Sequence, residues 1–377
     1  MAVSPSVFGE RHSLSLGRQI MARLRLDAPL MVGLLLVSGF GLVVLWSAGG
    51  QDSGLLFRQL VRLGIAFAVL LAVAQVPPKM LRLWSPWMFL GGLLLLVTVL
   101  AVGDFGKGAQ RWLDLGIIRF QPSEIMKLAV PMMAAWYLHD RVLPPRFTEL
   151  LMVLVLVVTP AVLIALQPDL GTALLVASAG LLVVLLGGLR LRLMLLLGAT
   201  AAALAPVLWH FMHDYQRRRV LTLFNPESDP LGAGYHIIQS KIAIGSGGLF
   251  GKGWGNGSQA QLEFLPERST DFIFAVLGEE FGLLGLVFLM TVYLLLVARG
   301  MYIALQAQDT YTRLLAGSIS LTFFVYVFVN TGMVTGLLPV VGVPLPLVSY
   351  GGTSMVTLMA GFGMLMAING HRNLLAR

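Results

Sequence analysis

Long apolar runs separated by short polar connections make up most of the chain after residue 29. A transmembrane helix needs about 20 consecutive apolar residues, and ten runs reach or approach that length. They cover residues 30–48, 55–74, 84–102, 123–137, 150–166, 171–189, 193–211, 272–297, 314–335 and 353–369. Strands of a membrane barrel would instead alternate apolar and polar residues over about ten positions. The pattern predicts an all-α, polytopic integral membrane protein with about ten transmembrane helices.

The amino-acid composition supports the same class of protein. Of the 377 residues, 57% are hydrophobic and only 12% are charged, whereas an average soluble domain is about 25% charged. Such a chain has too little polar surface to coat a soluble globule of this size. The net charge is +8, but the basic residues cluster in the short connections and form no separate basic surface segment. The charge therefore indicates membrane orientation rather than nucleic-acid binding.

The orientation follows from Lys and Arg in the short connections, which favour the cytoplasmic side. These residues are more numerous on the side that holds the N-terminus, so both termini are predicted to be cytoplasmic. The predicted organisation is a cytoplasmic segment at 1–29, one transmembrane domain at 30–370 and a cytoplasmic tail at 371–377. A large outer loop at about 212–270 joins the seventh and eighth helices.

An acidic residue lies where this outer loop meets the eighth apolar run. Asp271 follows Ser269 and Thr270, and any of the three could be the N-cap of the helix. A carboxylate at the boundary between water and lipid is also partly desolvated, which raises its pKa toward that of a general base. Farther along the run, Glu279 and Glu280 are either functional or paired with a basic side chain. Both alternatives stay open for each site.

A second polar group surrounds the start of the fourth helix. Glu124 and Lys127 are three residues apart and therefore lie on one helix face. They form either an ion pair within the helix or part of a site in which Lys127 and Arg111 present positive charge to an anionic headgroup, with Glu124 orienting them. Asp169, at the next outer connection, is either part of the same site or only a helix cap.

Two outer segments have unusual backbone composition. The Gly-rich run at 245–257 could approach a diphosphate or a sugar closely, or it could simply be flexible. The segment from Asn330 to Ser354 has two prolines and a Gly-Gly pair in its part 341–354, which break the helix at membrane depth, where irregular backbone has to be buried or line a cavity. It is either the wall of a lipid-accessible groove or a re-entrant turn that packs the bundle. His213 and His236 lack the spacing of zinc ligands.

Several sequence blocks resemble, in order, the shape, elongation, division and sporulation (SEDS) family of membrane proteins, and the likeness covers essentially residues 30–372. The blocks are RWLDLG at 111–116, QPSE at 121–124, QPDLG at 167–171, DPLGAGYHIIQS at 229–240, FLPER at 264–268 and PLPLVSYGG at 344–352. The block at 229–240 and the residues KGAQR at 107–111 resemble the elongation branch of the family rather than its division branch.

The resemblance implies a peptidoglycan glycosyltransferase that polymerises lipid II at the outer face of the bacterial inner membrane during cell elongation and rod-shape maintenance. It places Asp271 on the essential Asp of the family, as the catalytic residue. It also implies that a set of polar residues lines the substrate-binding cavity: Arg111, Glu124, Lys127, Asp169, Lys241, Ser349 and Tyr350. The implied partner is a class B penicillin-binding protein, a transpeptidase, within the elongation machinery of MreB, MreC, MreD and RodZ. A divalent cation, Mg²⁺ or Mn²⁺, is the candidate cofactor; its ligands are unknown and no organic cofactor is expected.

This chemistry needs few protein groups. The GlcNAc 4-hydroxyl of the acceptor attacks the anomeric carbon of MurNAc with inversion, which requires one base, and Asp271 is the candidate. The departing pyrophosphate requires positive charge. A lipid II flippase without chemistry of its own and a non-catalytic scaffold of the elongation complex are the alternatives. A flippase predicts polar residues through the whole membrane depth, whereas here they concentrate at the outer side.

Overall fold

The computed structural model of the protein describes residues 25–106, 109–114, 119–189, 191–212, 214–229, 232–262, 264–265 and 267–371. Lys107 and His213, and most of the two cytoplasmic segments predicted at 1–29 and 371–377, lie outside the described residues.

Every predicted span overlaps a helix. The first seven are α1 (Ala28–Ala48), α2 (Ser53–Ala74), α3 (Pro78–Val102), α4 (Pro122–Leu138), α5 (Phe147–Leu166), α6 (Leu170–Leu186) and α7 (Leu191–Phe211). The outer loop adds α8 (Asp214–Phe224), a 3₁₀ turn at Pro226–Ser228, α9 (Ala233–Gly247) and α10 (Ser258–Gln261). The chain ends with α11 (Ile273–Leu305), α12 (Thr310–Val334) and α13 (Thr353–Gly370).

The prediction of an all-α, polytopic membrane protein is confirmed. Within the described part of the chain, seven helices are long and apolar enough to cross a membrane: α1, α2, α3, α5, α11, α12 and α13. The helices α4 and α6 have 17 residues each and are shorter than a typical span. The total of ten spans therefore stays a prediction.

A small antiparallel sheet between α3 and α4 departs from the all-helical expectation. Its strands are β1 (Asp104–Gly106), β2 (Ala109–Asp114) and β3 (Arg119–Phe120), in the order β1-β2-β3. The register pairs Phe105 with Gln110 and Leu113 with Phe120. Strands of two to six residues are too short to show an alternating pattern in the sequence. The sheet carries Arg111 on its middle strand.

The central helix of the bundle is α12. It is buried along most of its length and packs against α11, α6 and α4, while α2 packs against α13. We call the end of the bundle that holds the sheet, the 212–272 loop and the 335–352 connection the outer end. The outer end of α12 contacts two of these segments, because Asn330 donates to the carbonyls of Asp271 in the loop and of Val343 in the last connection.

At the opposite end of the bundle, one carboxylate joins three helices. Asp27 is 4% exposed and caps α1 by accepting a hydrogen bond of 3.0 Å from the backbone N–H of Leu30. It also accepts hydrogen bonds of 3.1 and 2.7 Å from Arg299 of α11 and one of 2.9 Å from the side-chain amide of Asn369 of α13. The start of the first helix is thereby tied to the end of the last.

Helix α11 is interrupted close to its outer end. Gly282 has a φ of +64°, a conformation that L side chains rarely adopt, and the helical hydrogen bonding breaks there. The backbone N–H groups of Leu283 and Leu284 donate instead to the carbonyls of Gly248 and Leu249, at 2.9 and 3.2 Å. The Gly-rich part of the outer loop thus inserts into the break.

The inserted segment also donates to the helix. The backbone N–H groups of Lys252 and Gly253 donate to the carbonyls of Glu279 and Glu280, at 2.9 and 3.1 Å. A Cβ atom at Gly251 would lie only 2.1 Å from the carbonyl oxygen of Glu280. The glycines of this segment therefore allow close packing of two backbones, so its Gly content is explained within the protein itself.

Replacing Gly282 with Ala is expected to destabilise the protein by about 1–3 kcal/mol or more, because the backbone is left-handed and the new Cβ would lie 2.3 Å from the backbone nitrogen of Gly251. The thermal midpoint of the purified protein measures the effect. Gly245→Ala on α9 is the matched control, since no atom lies within 4 Å of its Cβ position. Equal midpoints for the two variants would contradict the proposed packing of the break.

Candidate active site

Asp271 lies in the turn that leads into α11. The N-cap of this helix is Phe272, without a side-chain capping bond, so the cap falls after Ser269, Thr270 and Asp271 rather than on one of them. Asp271 is half-buried. Its carboxylate lies against Gly342, where a Cβ atom would be 3.4 Å from Oδ2. Asp271 therefore faces the connection between α12 and α13.

That connection, 335–352, wraps around the Asp271 turn. Ser349 donates its hydroxyl hydrogen to the carbonyl of Thr270, and the backbone N–H of Tyr350 donates to the carbonyl of Ser269 at 2.8 Å. Ser349 is 4% exposed. The 341–354 segment was predicted to be either the wall of a groove or a turn that packs the bundle. These contacts show that it packs against the bundle.

The Tyr350 side chain lies among basic residues of α2. Its hydroxyl accepts a hydrogen bond of 3.3 Å from Arg58, and the guanidinium carbon of Arg62 lies 4.3 Å from the centre of its ring. Tyr350 is half-buried, so its ring connects α2 with the Asp271 turn. Positive charge is therefore present on the side of the turn that faces α2.

Arg111 reaches from the sheet to the start of α6. Its guanidinium donates to the carbonyl of Gln167 at 3.2 Å and to that of Pro168, and its Nε lies 3.9 Å from Oδ2 of Asp169. One third of its side chain is exposed. Arg111 is thus oriented by two carbonyls and a carboxylate, while part of its charge faces outward.

Asp169 is the N-cap of α6, as one of its two predicted alternatives states. Its Oδ1 accepts a hydrogen bond of 3.2 Å from the backbone N–H of Thr172, and its Oδ2 accepts one of 3.0 Å from the amide of Gln121. The next residue but one, Gly171, approaches the last connection closely: a Cβ there would be 2.8 Å from the carbonyl oxygen of Val341. Because Gly342, the neighbour of Val341, lies against the Asp271 carboxylate, the start of α6 and the Asp271 turn approach adjacent residues of the last connection.

The Glu124–Lys127 ion pair predicted as an alternative is present. Its atoms are 2.7 Å apart, and each side chain is 6% exposed. The second oxygen of Glu124 has no hydrogen-bond partner within the described part of the chain. Lys127 also lies 5.3 Å from the centre of the Tyr326 ring of α12. The charge of Lys127 is therefore buried between α4 and α12.

Glu279 and Glu280 lie at the break in α11, away from the Asp271 turn. Glu279 accepts hydrogen bonds of 2.7 Å from Lys252 and 2.9 Å from Ser258, so it is the buried, paired carboxylate predicted as one alternative. Glu280 accepts a hydrogen bond from the hydroxyl of Ser47 on α1. Both residues stabilise the docking of the Gly-rich segment.

Helix α9 brings two further polar side chains to the outer end. Lys241 is exposed and lies beside Gly336, just after α12. The buried hydroxyl of Ser240 donates to the carbonyl of Val334 at 2.7 Å, which fixes α9 to the end of α12. Lys241 is therefore the most accessible of the cationic candidates.

His236 was considered only as a metal ligand from the sequence, but it lies next to the Asp271 turn. Its ring stacks on Phe272 with 5.4 Å between ring centres. Burial lowers the pKa of His236, and the negative charges of Glu267 and Asp229 oppose that shift. His236 is therefore neutral in the folded protein at neutral pH.

The comparison with known proteins identifies the family. A family model for cell cycle proteins of the FtsW, RodA and SpoVE type matches residues 25–374. The chain belongs to this family. Peptidoglycan glycosyltransferase MrdB of Escherichia coli (strain K12) is 54% identical over 356 residues, which cover 94% of this chain and 96% of MrdB. The chain is accordingly a multi-pass protein of the inner membrane, as predicted.

Solved structures of the FtsW/RodA/SpoVE family have the same fold. Rod shape determining protein RodA of Thermus thermophilus matches with a TM-score of 0.70 and 31% identity, over 92% of this chain and 98% of that one. A chain from work on the structural coordination of polymerization and crosslinking by a peptidoglycan synthase complex matches with a TM-score of 0.79 and 36% identity. That match covers 91% of this chain and 97% of the other.

Among the described residues, side chains that could form a metal site on their own were sought. The described residues contain no group of three or more His, Cys, Asp or Glu side chains that could hold a metal ion. The part of the chain that the structure describes does not form a dedicated metal centre, so no catalytic step is assigned to a cation. The candidate Mg²⁺ or Mn²⁺ stays a prediction.

Three polar residues near the site were given no individual role in it from the sequence. His236 lacked any local signal, because its contact partner Phe272 lies 36 residues farther along the chain (272 − 236). Gln121 belongs to the QPSE block, and its amide holds Asp169. Asn330 of α12 is fully buried and donates to the carbonyl of Asp271 at 2.9 Å. A buried amide inside an apolar run is the one signal that could have marked Asn330.

Replacing His236 with Phe is expected to make stability less dependent on pH. An unfolded His protonates near pH 6.5, whereas the lowered pKa of folded His236 resists protonation. Wild-type stability should therefore fall as the pH decreases below about 6.5 and stay constant above it as far as His236 is concerned. Thermal midpoints at about pH 7.5 and 5.5 measure this. Phe retains the stacking on Phe272, and an unchanged pH dependence in the variant would contradict the prediction.

Proposed function

We propose that the protein is a peptidoglycan glycosyltransferase that polymerises lipid II into β-1,4 glycan strands at the outer face of the inner membrane, for cell elongation and rod-shape maintenance. The observation that carries the proposal is the 54% identity, over nearly the whole chain, to a peptidoglycan glycosyltransferase. The likeness to a rod shape determining protein, RodA, along 92% of this chain supports a role in rod-shape maintenance.

Asp271 is the catalytic base in this proposal. Its carboxylate accepts the proton of the GlcNAc 4-hydroxyl as that oxygen attacks the anomeric carbon of MurNAc, and the bond to pyrophosphate breaks on the opposite face, with inversion. Pyrophosphate leaves as an anion without needing a proton, so one carboxylate is sufficient. The half-buried position of Asp271, between the outer loop and α11, supports this role.

In this proposal the negative charge of the departing pyrophosphate is stabilised by basic side chains that are exposed or partly exposed. Lys241 is exposed and Arg111 is one third exposed, so both can contact a headgroup directly. Lys127 is buried against Glu124, so it contributes its positive charge to the cavity without contacting the headgroup. Asp169 orients Arg111.

Tyr350 completes the proposed cavity, and the buried Ser349 supports the cavity wall from within. Both belong to the segment that wraps the Asp271 turn, and Tyr350 adds a half-buried ring next to Arg58 and Arg62. An aromatic ring with flanking cations is suited to a sugar carrying a nearby phosphate. The wall between α2 and the last connection is thereby part of the proposed substrate site.

The proposal includes a class B penicillin-binding protein as partner, within the machinery of MreB, MreC, MreD and RodZ. One structural match is a chain described for a peptidoglycan synthase complex that coordinates polymerization and crosslinking. This match supports a transpeptidase partner. Both termini are proposed to be cytoplasmic, which places Asp271 on the outer side.

Polymerisation of labelled lipid II by the purified protein with its penicillin-binding partner tests the function. Penicillin blocks crosslinking, so that glycan chains resolve on a gel, and parallel reactions with EDTA, Mg²⁺ or Mn²⁺ test the cation. A ladder of glycan chains is expected. Absence of polymer with an intact complex, together with lipid II transfer across vesicles, would instead establish a flippase; absence of both would favour a scaffold.

A further inference from the structure

Three consecutive carbonyl oxygens of the Asp271 turn, those of residues 269–271, each accept a hydrogen bond from another part of the chain. The donors are the backbone N–H of Tyr350, the hydroxyl of Ser349 and the side-chain amide of Asn330. Two of the three donors are side chains, and both are buried. A turn held at three successive carbonyls has little freedom to rotate.

We propose that Asn330 and Ser349 are positioning residues for the glycosyl transfer, which fix the backbone of the turn so that the Asp271 carboxylate faces the acceptor hydroxyl. This inference rests on the proposed function, in which Asp271 is the base. Neither side chain contacts the reacting atoms. Both act through Asp271.

The turn needs such support because α11 cannot supply it. The break at Gly282 separates the outer part of the helix, residues 273–281, from its long inner part. The outer part is about two and a half turns long. Asp271 is thus attached to a short helical segment rather than to a 33-residue rod, and its position depends on lateral contacts.

Asn330 joins both sides of the carboxylate. Its amide donates to the carbonyl of Asp271 at 2.9 Å and to that of Val343 at 2.7 Å. Val343 follows Gly342, which lies against the Asp271 carboxylate. One amide therefore sets the distance between the turn and the segment that faces it, and an apolar residue of similar size would leave two carbonyls unpaired.

Ser349 holds the turn from the other side. Its hydroxyl oxygen accepts a hydrogen bond of 2.8 Å from the backbone N–H of Leu345 and donates its hydrogen to the carbonyl of Thr270. Its own carbonyl accepts a hydrogen bond of 3.2 Å from Gln59 of α2. The hydroxyl is committed within the protein, so a positioning role replaces the direct substrate contact that the sequence suggests.

The expected effect is on the rate of the chemical step. Misplacing a catalytic group by about 1 Å can lower a rate about 100-fold. Asn330→Leu should therefore lower kcat about 100-fold and Ser349→Ala about 10-fold, while KM for lipid II changes by less than about 3-fold. Asn330→Ser keeps one hydroxyl donor and should give an intermediate kcat. The thermal midpoint and complex formation with the penicillin-binding partner are measured in parallel.

The decisive comparison combines variants. If Asn330 acts only through Asp271, adding Asn330→Leu to Asp271→Asn should lower the residual activity by less than about 2-fold, although it lowers wild-type activity about 100-fold. Thr331→Val is the matched control on α12, because within the described part of the chain its hydroxyl donates to carbonyls of its own helix. It should keep wild-type kcat.

Several outcomes would overturn the inference. A raised KM with unchanged kcat would make Asn330 or Ser349 a substrate contact, and a lowered midpoint with unchanged kcat would make it purely structural. If Asn330→Leu does not fold, the kcat and KM values of Ser349→Ala and Asn330→Ser decide whether these residues position Asp271. If Asp271→Asn loses activity but all the positioning variants keep full activity, the inference alone is rejected. If Asp271→Asn keeps full activity, the proposed base and the inference are both rejected.

Discussion

Replacing Asp271 with Asn is expected to lower the rate of lipid II polymerisation by about 100- to 10,000-fold, the usual contribution of a general base. Asn has the same size and retains the backbone carbonyl that Asn330 holds, so the turn should keep its conformation. The substitution removes only the ability to accept the proton. The measurement is kcat from the formation of labelled glycan chains, with lipid II binding assayed separately and expected to be nearly unchanged.

The matched control for this prediction is Asp309→Asn. Asp309 caps α12 at the end of the bundle opposite the candidate site, with its carboxylate accepting from the backbone N–H of Thr312 at 3.0 Å. Asn is about as good an N-cap as Asp, so this variant should fold and polymerise like the wild type. Wild-type rates from Asp271→Asn would show that the base lies elsewhere.

Replacing Lys127 with Met is expected to destabilise the protein by about 3–5 kcal/mol, because it leaves the charge of Glu124 buried and unpaired. Met fills nearly the same space as the stem of Lys, so the loss is electrostatic rather than steric. A lower thermal midpoint and a lower yield of purified protein should result. A midpoint equal to that of the wild type would contradict the assignment of a buried ion pair.

The double variant Lys127→Met with Glu124→Gln separates stability from function. Removing both charges should restore most of the lost stability, since no unpaired ion remains. Polymerisation by this stable double variant then decides the role of Lys127. An active enzyme would make the pair structural only, and an inactive but folded one would show that the Lys127 charge is needed for the substrate.

The bundle could be predicted because each span is a local signal. Apolar runs identified every span helix, although α3 begins at Pro78 and α11 continues to Leu305, beyond the predicted limits. The difference at α3 arises because Lys79 and Arg82 belong to its first turns, and long basic side chains can occupy the end of a membrane helix with their charges in the headgroup region. The break at Gly282 was not predictable, because it depends on a segment thirty residues earlier in the chain.

In the site, too, local contacts could be predicted from the sequence and contacts between distant residues could not. The Glu124–Lys127 pair and the Asp169 cap follow from spacings of three residues or from a helix start, and both are present. Asn330 reaches Asp271 across 59 residues, and His236 reaches Phe272 across the outer loop. Such contacts exist only after tertiary packing, so no local pattern encodes them. The catalytic role of Asp271 stays a prediction for the enzyme assay.

The carboxylate of Asp27 has a consequence for biogenesis. It lies at the beginning of the first helix, yet it accepts hydrogen bonds from Arg299 and Asn369, which are synthesised 272 and 342 residues after it. A chain still on the ribosome therefore holds this carboxylate without its full set of donors. Closure of the bundle is expected to wait for the synthesis of α13, and chains truncated before Asn369 should be more susceptible to proteases than the chain that contains it.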